Sequence, residues 1–176
     1  MHVFLTGDIQ VGKSTLTKKV LSALGDVRLG GFRTVTVDDR PDAFGSLYLV
    51  PAAVENPACG DDNRVGIRRG RGRGTEGFPE VFDRAGTEVL ADAEACELIL
   101  MDEIGKLESE SPAFLSRIAE LLDGDVPILG VLRKEGETPQ QLLVRSHPKV
   151  RLVEVTEQNR DALVSEITTL LKAQMK

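Results

Sequence analysis

The sequence predicts one α/β domain on a mostly parallel sheet, and three observations predict it. Short apolar runs that suit buried strands alternate with amphipathic stretches that suit helices. A glycine-rich loop stands between the first apolar run and the first helix. A later apolar run ends directly in two acids. The chain has 176 residues, enough for one full core, and no repeat or linker divides it, so residues 1–176 read as a single domain.

Val3, Phe4 and Leu5 give the first strand. Residues 7–14 read Gly-Asp-Ile-Gln-Val-Gly-Lys-Ser, a complete G-x-x-x-x-G-K-S phosphate-binding loop. Residues 15–23 follow as a helix, with Leu16, Val20, Leu21 and Leu24 on one face. Gly7 and Gly12 admit backbone angles and close approaches that a side chain forbids. The loop amides and the positive end of the helix then face the phosphates. Gly7, Asp8, Ile9, Gln10, Val11, Gly12, Lys13, Ser14 and Thr15 are therefore the expected nucleotide cradle. Lys13 is expected on the terminal phosphates and Ser14 on Mg²⁺. Thr15 is a weaker candidate for the inner phosphates, and Asp8 is expected to point outward.

Residues 33–38 alternate Val35 and Val37 with polar side chains, and residues 44–50 form another apolar run. Asp39-Arg40-Pro41-Asp42 between them is turn chemistry, which suggests a hairpin. Residues 51–77, rich in Gly, Asn, Asp and Arg, read as loop. Residues 80–95 read as a helix with Val81, Leu90 and Ala93 among its apolar positions, and residues 98–101 as a buried strand. Ser111-Pro112 has the form of a helix start, N-cap then proline. Phe114, Leu115, Ile118, Leu121 and Leu122 give that helix its core face, and Gly124 ends it. Residues 126–132 form a further strand, and Thr138-Pro139 opens a short helix to Ser146. Residues 150–155 are the last strand. Leu163, Ile167, Leu170 and Leu171 form one stripe of the final helix, whose N-cap is read at Thr156.

The run Leu98-Ile99-Leu100-Met101 delivers Asp102 and Glu103 to a strand's C-terminal end, where ligands of such sheets lie. Asp102 is expected to hold Mg²⁺ beside Ser14. Glu103 is placed to orient or deprotonate a water for attack on the γ-phosphate. Arg133 follows the strand of residues 128–132. It either stabilises charge on the transferred phosphoryl group or is a surface arginine beside Lys134 and Glu135. Asn159 and Arg160, after the last strand, are candidates for contact with the nucleotide base.

The formal net charge of −6 argues against general nucleic-acid binding, and with no tryptophan and one tyrosine there is no aromatic platform for bases. Cys59 and Cys96 are isolated, and His2 and His147 lack metal-type spacing, so no disulfide or zinc site is expected. No apolar run reaches ~18 residues, and no secretory leader is read ahead of the first strand. The expectation is a cytoplasmic chain that acts on nucleoside triphosphates away from membranes. Arg68, Arg69, Arg71 and Arg73 alternate with Gly70, Gly72 and Gly74. That stretch is a solvated loop, an arginine lid over phosphates as in nucleotide kinases, or an RNA-binding segment.

These motifs resemble the THEP-type nucleoside-triphosphatases, also called cancer-related nucleoside-triphosphatases, over nearly the whole chain. The resemblance rests on residues 7–15, on Gly31-Phe32-Arg33-Thr34 and on Arg64-Val65-Gly66. Its specific parts are Asp102-Glu103-Ile104-Gly105-Lys106-Leu107-Glu108, at the end of the 98–101 strand, and the late Val155-Thr156-Glu157-Gln158-Asn159-Arg160. It implies a P-loop NTPase with a RecA-like three-layer fold. It also implies slow, Mg²⁺-dependent hydrolysis of several triphosphates to diphosphates with little base preference. Lys106 and Glu108 either position Glu103 or cover the site rim. Phe32 is a candidate for the core, and Arg33 or Thr34 for the phosphates. Two departures stand out: Ile9-Gln10 where the family often carries Pro-Gly, and the arginine–glycine density of residues 64–77. The rival reading is a nucleotide or small-molecule kinase with the arginine-rich loop as phosphate lid. A nucleotide-switched binding module is a third, although Asn159-Arg160-Asp161 lacks the Asn-Lys-x-Asp pattern for guanine.

Overall fold

The computed structural model describes residues 1–41, 44–70 and 74–175. In chain order the strands and helices are β1 (His2–Thr6), α1 (Lys13–Leu24), β2 (Leu29–Val37), β3 (Ser46–Pro51), β4 (Arg64–Arg68), β5 (Thr75–Gly77) and α2 (Pro79–Val89). They continue with β6 (Leu98–Ile104), α3 (Pro112–Asp123), β7 (Ile128–Leu132), α4 (Pro139–Ser146), β8 (Val150–Glu154) and α5 (Arg160–Lys172). All eight strands belong to one sheet in the order β5-β4-β3-β2-β6-β7-β1-β8.

The apolar runs explain the middle of that sheet. Every residue of β1 and β7 is buried, because helices cover both faces. Successive side chains alternate between the two cores. Val3 and Leu5 join Leu16, Val20, Leu163 and Ile167 beneath α1 and α5. Phe4 faces the other way, into a cluster with Phe32, Phe82, Phe114 and Ile118 beneath α2 and α3. Each such side chain contributes about 1.5–3 kcal/mol by leaving water. The result is three layers around a sheet, as the resemblance implies. Parallel β1, β6 and β7 end on the same edge, which brings the glycine loop, Asp102-Glu103 and Arg133 together.

The sheet is mostly parallel, as expected: β2, β6, β7, β1 and β8 pair in parallel, while β3, β4 and β5 extend it antiparallel. Three other expectations need correction. The supposed loop of residues 51–77 contains two strands. Glycine and arginine give them poor intrinsic propensity, and pairing to β3 supplies what propensity lacks. The helix read over residues 80–95 stops at Val89, followed by a single 3₁₀ turn at Ala93–Ala95. Arg117 explains the stop: its Nη2 donates to the Leu90 carbonyl at 3.0 Å, satisfying a helix-end acceptor. The N-cap of α5 is Asn159 rather than Thr156. Thr156 Oγ1 accepts from the Asn159 amide at 3.3 Å and so closes the turn that precedes the helix. The β2–β3 hairpin is present, with Asp42 of its expected turn outside the described residues.

Candidate phosphate-binding active site

The loop of residues 7–12 joins β1 to α1 and packs against the segment after β8. Gly7 has φ 145°, and a methyl there would stand 2.5 Å from the Val155 carbonyl oxygen. Gly12 has φ 107° and leaves room for the Arg160 guanidinium. Arg160 Nη1 donates to the Val11 carbonyl at 3.1 Å, tying the start of α5 to the loop. Lys13 folds back: its Nζ donates to the Gly7 and Asp8 carbonyls, each at 2.8 Å. Asp8 turns its carboxylate outward to Lys134 at 3.0 Å, and Lys134 reaches Glu154 at 2.9 Å. Ile9 is 76% exposed at the loop crest. Gln10 holds φ 65°, a left-handed conformation that costs a non-glycine residue about 1–2 kcal/mol. The Ile9-Gln10 departure is thus a strained one. Ser14 and Thr15 are accessible on the first turn of α1.

The acids come from β6. Asp102 lies in register between Arg33 of β2 and Val131 of β7. The β6–β7 register slips between Asp102 and Ile104, so Glu103 leaves the ladder and lines the cleft. Burial first, and the Glu103 charge second, push the Asp102 carboxyl up to about 6, against Arg33, Lys13 and Lys18. The cleft walls desolvate Glu103 even though its surface is open to the cleft, and its carboxyl also rises. Lys13 and Arg133 oppose that rise.

Two residues further on, the backbone of Gly105 is clamped from both sides. Its N–H donates to Glu108 Oε1 at 2.6 Å. Its carbonyl accepts from Gln140 Nε2 at 2.8 Å and from Thr138 Oγ1 at 3.2 Å. Glu108 is only 3% exposed, and burial pushes its carboxyl up. The clamp uses Gln140 and Thr138 of the α4 start, which the sequence reading marked only as a helix terminus.

Two hollows flank the loop. The larger, about 720 Å³, is lined by Gly7, Asp8, Ile9, Lys13 and Ser14 of the loop, by Asp102, Glu103, Lys106, Glu108, Arg133 and Lys134, and by Thr34, Thr36, Leu47, Arg68 and Thr75 of β2 to β5. The smaller, about 340 Å³, lies beside Gly12, Thr15, Leu16, Lys19, Arg160 and Asp161. The fold therefore gathers Lys13, Ser14, Asp102, Glu103 and Arg133 into one cleft from three separate chain segments. Arg160 flanks the smaller hollow. The Asn159 amide is turned to the chain itself, with Nδ2 on the Glu154 carbonyl at 2.9 Å and Oδ1 accepting from the Thr156 amide at 2.8 Å. Phe32 is in the core, Thr34 lines the cleft, and Arg33 Nη2 donates to the Val54 carbonyl at 2.7 Å. Of the arginine–glycine stretch, Arg71, Gly72 and Arg73 lie outside the described residues.

A sequence model of the family described as NTPase matches residues 2–168. The chain belongs to this NTPase family. Among its relatives is the nucleoside-triphosphatase THEP1 of Methanosarcina barkeri, 29% identical over 170 residues and covering 95% of both chains. The cancer-related nucleoside-triphosphatase homolog of Bos taurus is 28% identical over 188 residues, covering 99% of this chain and 98% of its own. The crystal structure of THEP1 from Aquifex aeolicus superposes with a TM-score of 0.75 at 24% identity, covering 97% of this chain and 99% of that one. The solution structure of a human cancer-related nucleoside triphosphatase gives a TM-score of 0.70 at 28% identity over 99% of each chain. The P-loop fold and the family are thereby shown, and hydrolysis of nucleoside triphosphates is the activity that goes with membership. Among the described residues no helix is long and apolar enough to cross a membrane.

Proposed function

We propose that this chain hydrolyses the terminal phosphoanhydride of several nucleoside triphosphates, with Mg²⁺ and with little regard for the base. The carrying observation is the convergence of Lys13, Ser14, Asp102, Glu103 and Arg133 on one cleft. The donor set fits a hard divalent cation: a serine hydroxyl, and a carboxylate whose ionisation burial opposes and a cation would restore. Ser14 and Asp102 would hold Mg²⁺, which neutralises phosphate oxygens when bound.

Lys13 leaves the Gly7 and Asp8 carbonyls and transfers its charge to the terminal phosphates. Glu103 orients the attacking water and takes its proton, which a raised carboxyl pKa favours. Arg133, on the same cleft, meets charge developing on the transferred group. The base and sugar lie in the smaller hollow beside Arg160. A guanidinium plane accepts any aromatic face, which is consistent with base tolerance.

Phosphate release from ATP, GTP, CTP and UTP with Mg²⁺ tests this. Glu103→Ala should keep nucleotide binding and lower turnover about 10²-fold, while Lys13→Ala should lose binding or turnover. Unchanged turnover in the Glu103 variant would remove Glu103 as the base. A second reading, phosphoryl transfer to a small acceptor, is favoured by one observation: the cleft continues well past the phosphate end, to Arg68.

A further inference from the structure

The far half of the large cleft has a built floor of its own. Strand alternation puts Thr36, Leu47, Arg68 and Thr75 on one face of the antiparallel strands. Thr36 stands opposite Leu47 across β2 and β3, and Arg68 opposite Thr75 across β4 and β5. Phe82 and Leu107 also line this part of the cleft. Arg68 and Arg69 are neighbours with different fates. Arg69 Nε donates to Glu76 at 2.8 Å. Among the described residues the Arg68 guanidinium and the Lys106 ammonium have no hydrogen-bond or ion-pair partner. Arg68, Lys106, two threonine hydroxyls and an apolar wall thus line one space, and Glu108, the carboxylate nearest Lys106 in the chain, is engaged by the Gly105 N–H. The whole cleft, loop end included, is about 720 Å³, within the range of sites that hold small molecules. With the nucleoside in the smaller hollow, the triphosphate tail leaves the far half free.

We propose that this far half binds a second ligand, a phosphate monoester of a small polyhydroxy body such as a sugar phosphate or a nucleoside monophosphate. Two unpaired cations match a dianionic phosphate better than a single carboxylate, and an arginine fork takes phosphate oxygens in pairs. Thr36 and Thr75 meet hydroxyls of the body, and Leu47, Phe82 and Leu107 cover its apolar edge. The placement rests on the nucleotide occupying the glycine loop as proposed above.

Calorimetric titration of ribose 5-phosphate and of AMP into the full chain, with and without a saturating non-hydrolysable ATP analogue and Mg²⁺, tests it. Binding of at least one of them alongside the bound analogue is expected, while ribose itself does not bind. Arg68→Ala should weaken that binding tenfold or more, and Arg69→Ala should leave it within twofold. Binding that the analogue abolishes, binding indifferent to Arg68→Ala, or no binding of either compound would overturn the proposal. Failure of the analogue itself to bind counts against the hydrolase reading instead. The titrations without analogue, compared between wild type and Arg68→Ala, then still decide the second site.

Discussion

Replacing Asp102 with Asn should make the metal-free chain more stable while destroying its function. The Asp102 carboxyl is raised from the ordinary 3.8 to about 6, first by burial and then by the Glu103 charge. A carboxyl raised on folding binds protons more tightly in the native state. Its stabilising contribution is complete below about 4 and is lost as pH rises through about 6. Above that, holding the group ionised costs on the order of 2–3 kcal/mol, from about 1.36 kcal/mol per pH unit of displacement. That is a large share of an ordinary domain's stability of about 5–15 kcal/mol. Asn keeps the shape and drops the charge. The variant should therefore gain on the order of 2 kcal/mol at pH 7.5 and roughly 0.5 kcal/mol or less at pH 4. Urea unfolding in a chelating buffer without nucleotide reads this directly. With a slope of about 2 kcal/mol/M, the midpoint should rise by about 1 M at pH 7.5. A variant less stable than wild type at pH 7.5, or a gain of equal size at both pH values, would refute the electrostatic reasoning. The trade is the familiar one in which a site keeps a group the fold would rather lose.

Glu108→Ala removes the acceptor of the buried Gly105 N–H. Turnover should fall about 10- to 100-fold with little change in KM, because Glu103 loses its fixed position. Glu108→Gln, which keeps an acceptor oxygen, should restore most of it, and steady-state kinetics within twofold of wild type for Glu108→Ala would show that the clamp does not reach the chemistry. Gly130→Ala places a methyl 2.1 Å from Cε1 of the fully buried Phe4 ring. That overpacking should cost about 1–3 kcal/mol. Combining it with Phe4→Leu should recover much of the loss in a double-mutant cycle, and an unfolding midpoint unchanged by Gly130→Ala alone would show that the ring has room to move.

The parallel core was legible because its strands are buried on both faces. Val3-Phe4-Leu5, Leu98-Ile99-Leu100-Met101 and Ile128-Leu129 have no polar position to confuse with a loop. The helix starts at Ser111-Pro112 and Thr138-Pro139 were legible for a different reason, since proline at the first helical position is a local signal. β4 was not legible. Val65 and Ile67 are its only apolar side chains, and what makes Arg64–Arg68 a strand is pairing with β3 and β5, a tertiary fact. The start of β2 was hidden similarly, because Gly30 and Gly31 carry no strand propensity and extend only by pairing with Ile99 and Leu100. At the site, the loop motif and Asp102-Glu103 were legible as local patterns. The clamp on Gly105 was not, since it joins side chains more than thirty positions away in sequence to the backbone of that residue.

The strand that carries the glycine loop has both of its neighbours late in the chain. β1 pairs with β7 and β8 only, that is, with residues 128–154. On the ribosome, Val3, Phe4 and Leu5 emerge well ahead of those residues and have no sheet to enter until they follow. At synthesis rates of about 5–20 residues per second, that wait is roughly six to thirty seconds. During it the first strand is an exposed apolar segment with two open edges, which is the kind of surface chaperones hold. The cradle around Gly7 also depends on the late segment, because the Val155 amide donates to the Thr6 carbonyl at 2.7 Å. The strand and the cradle it carries therefore wait on the same late segment.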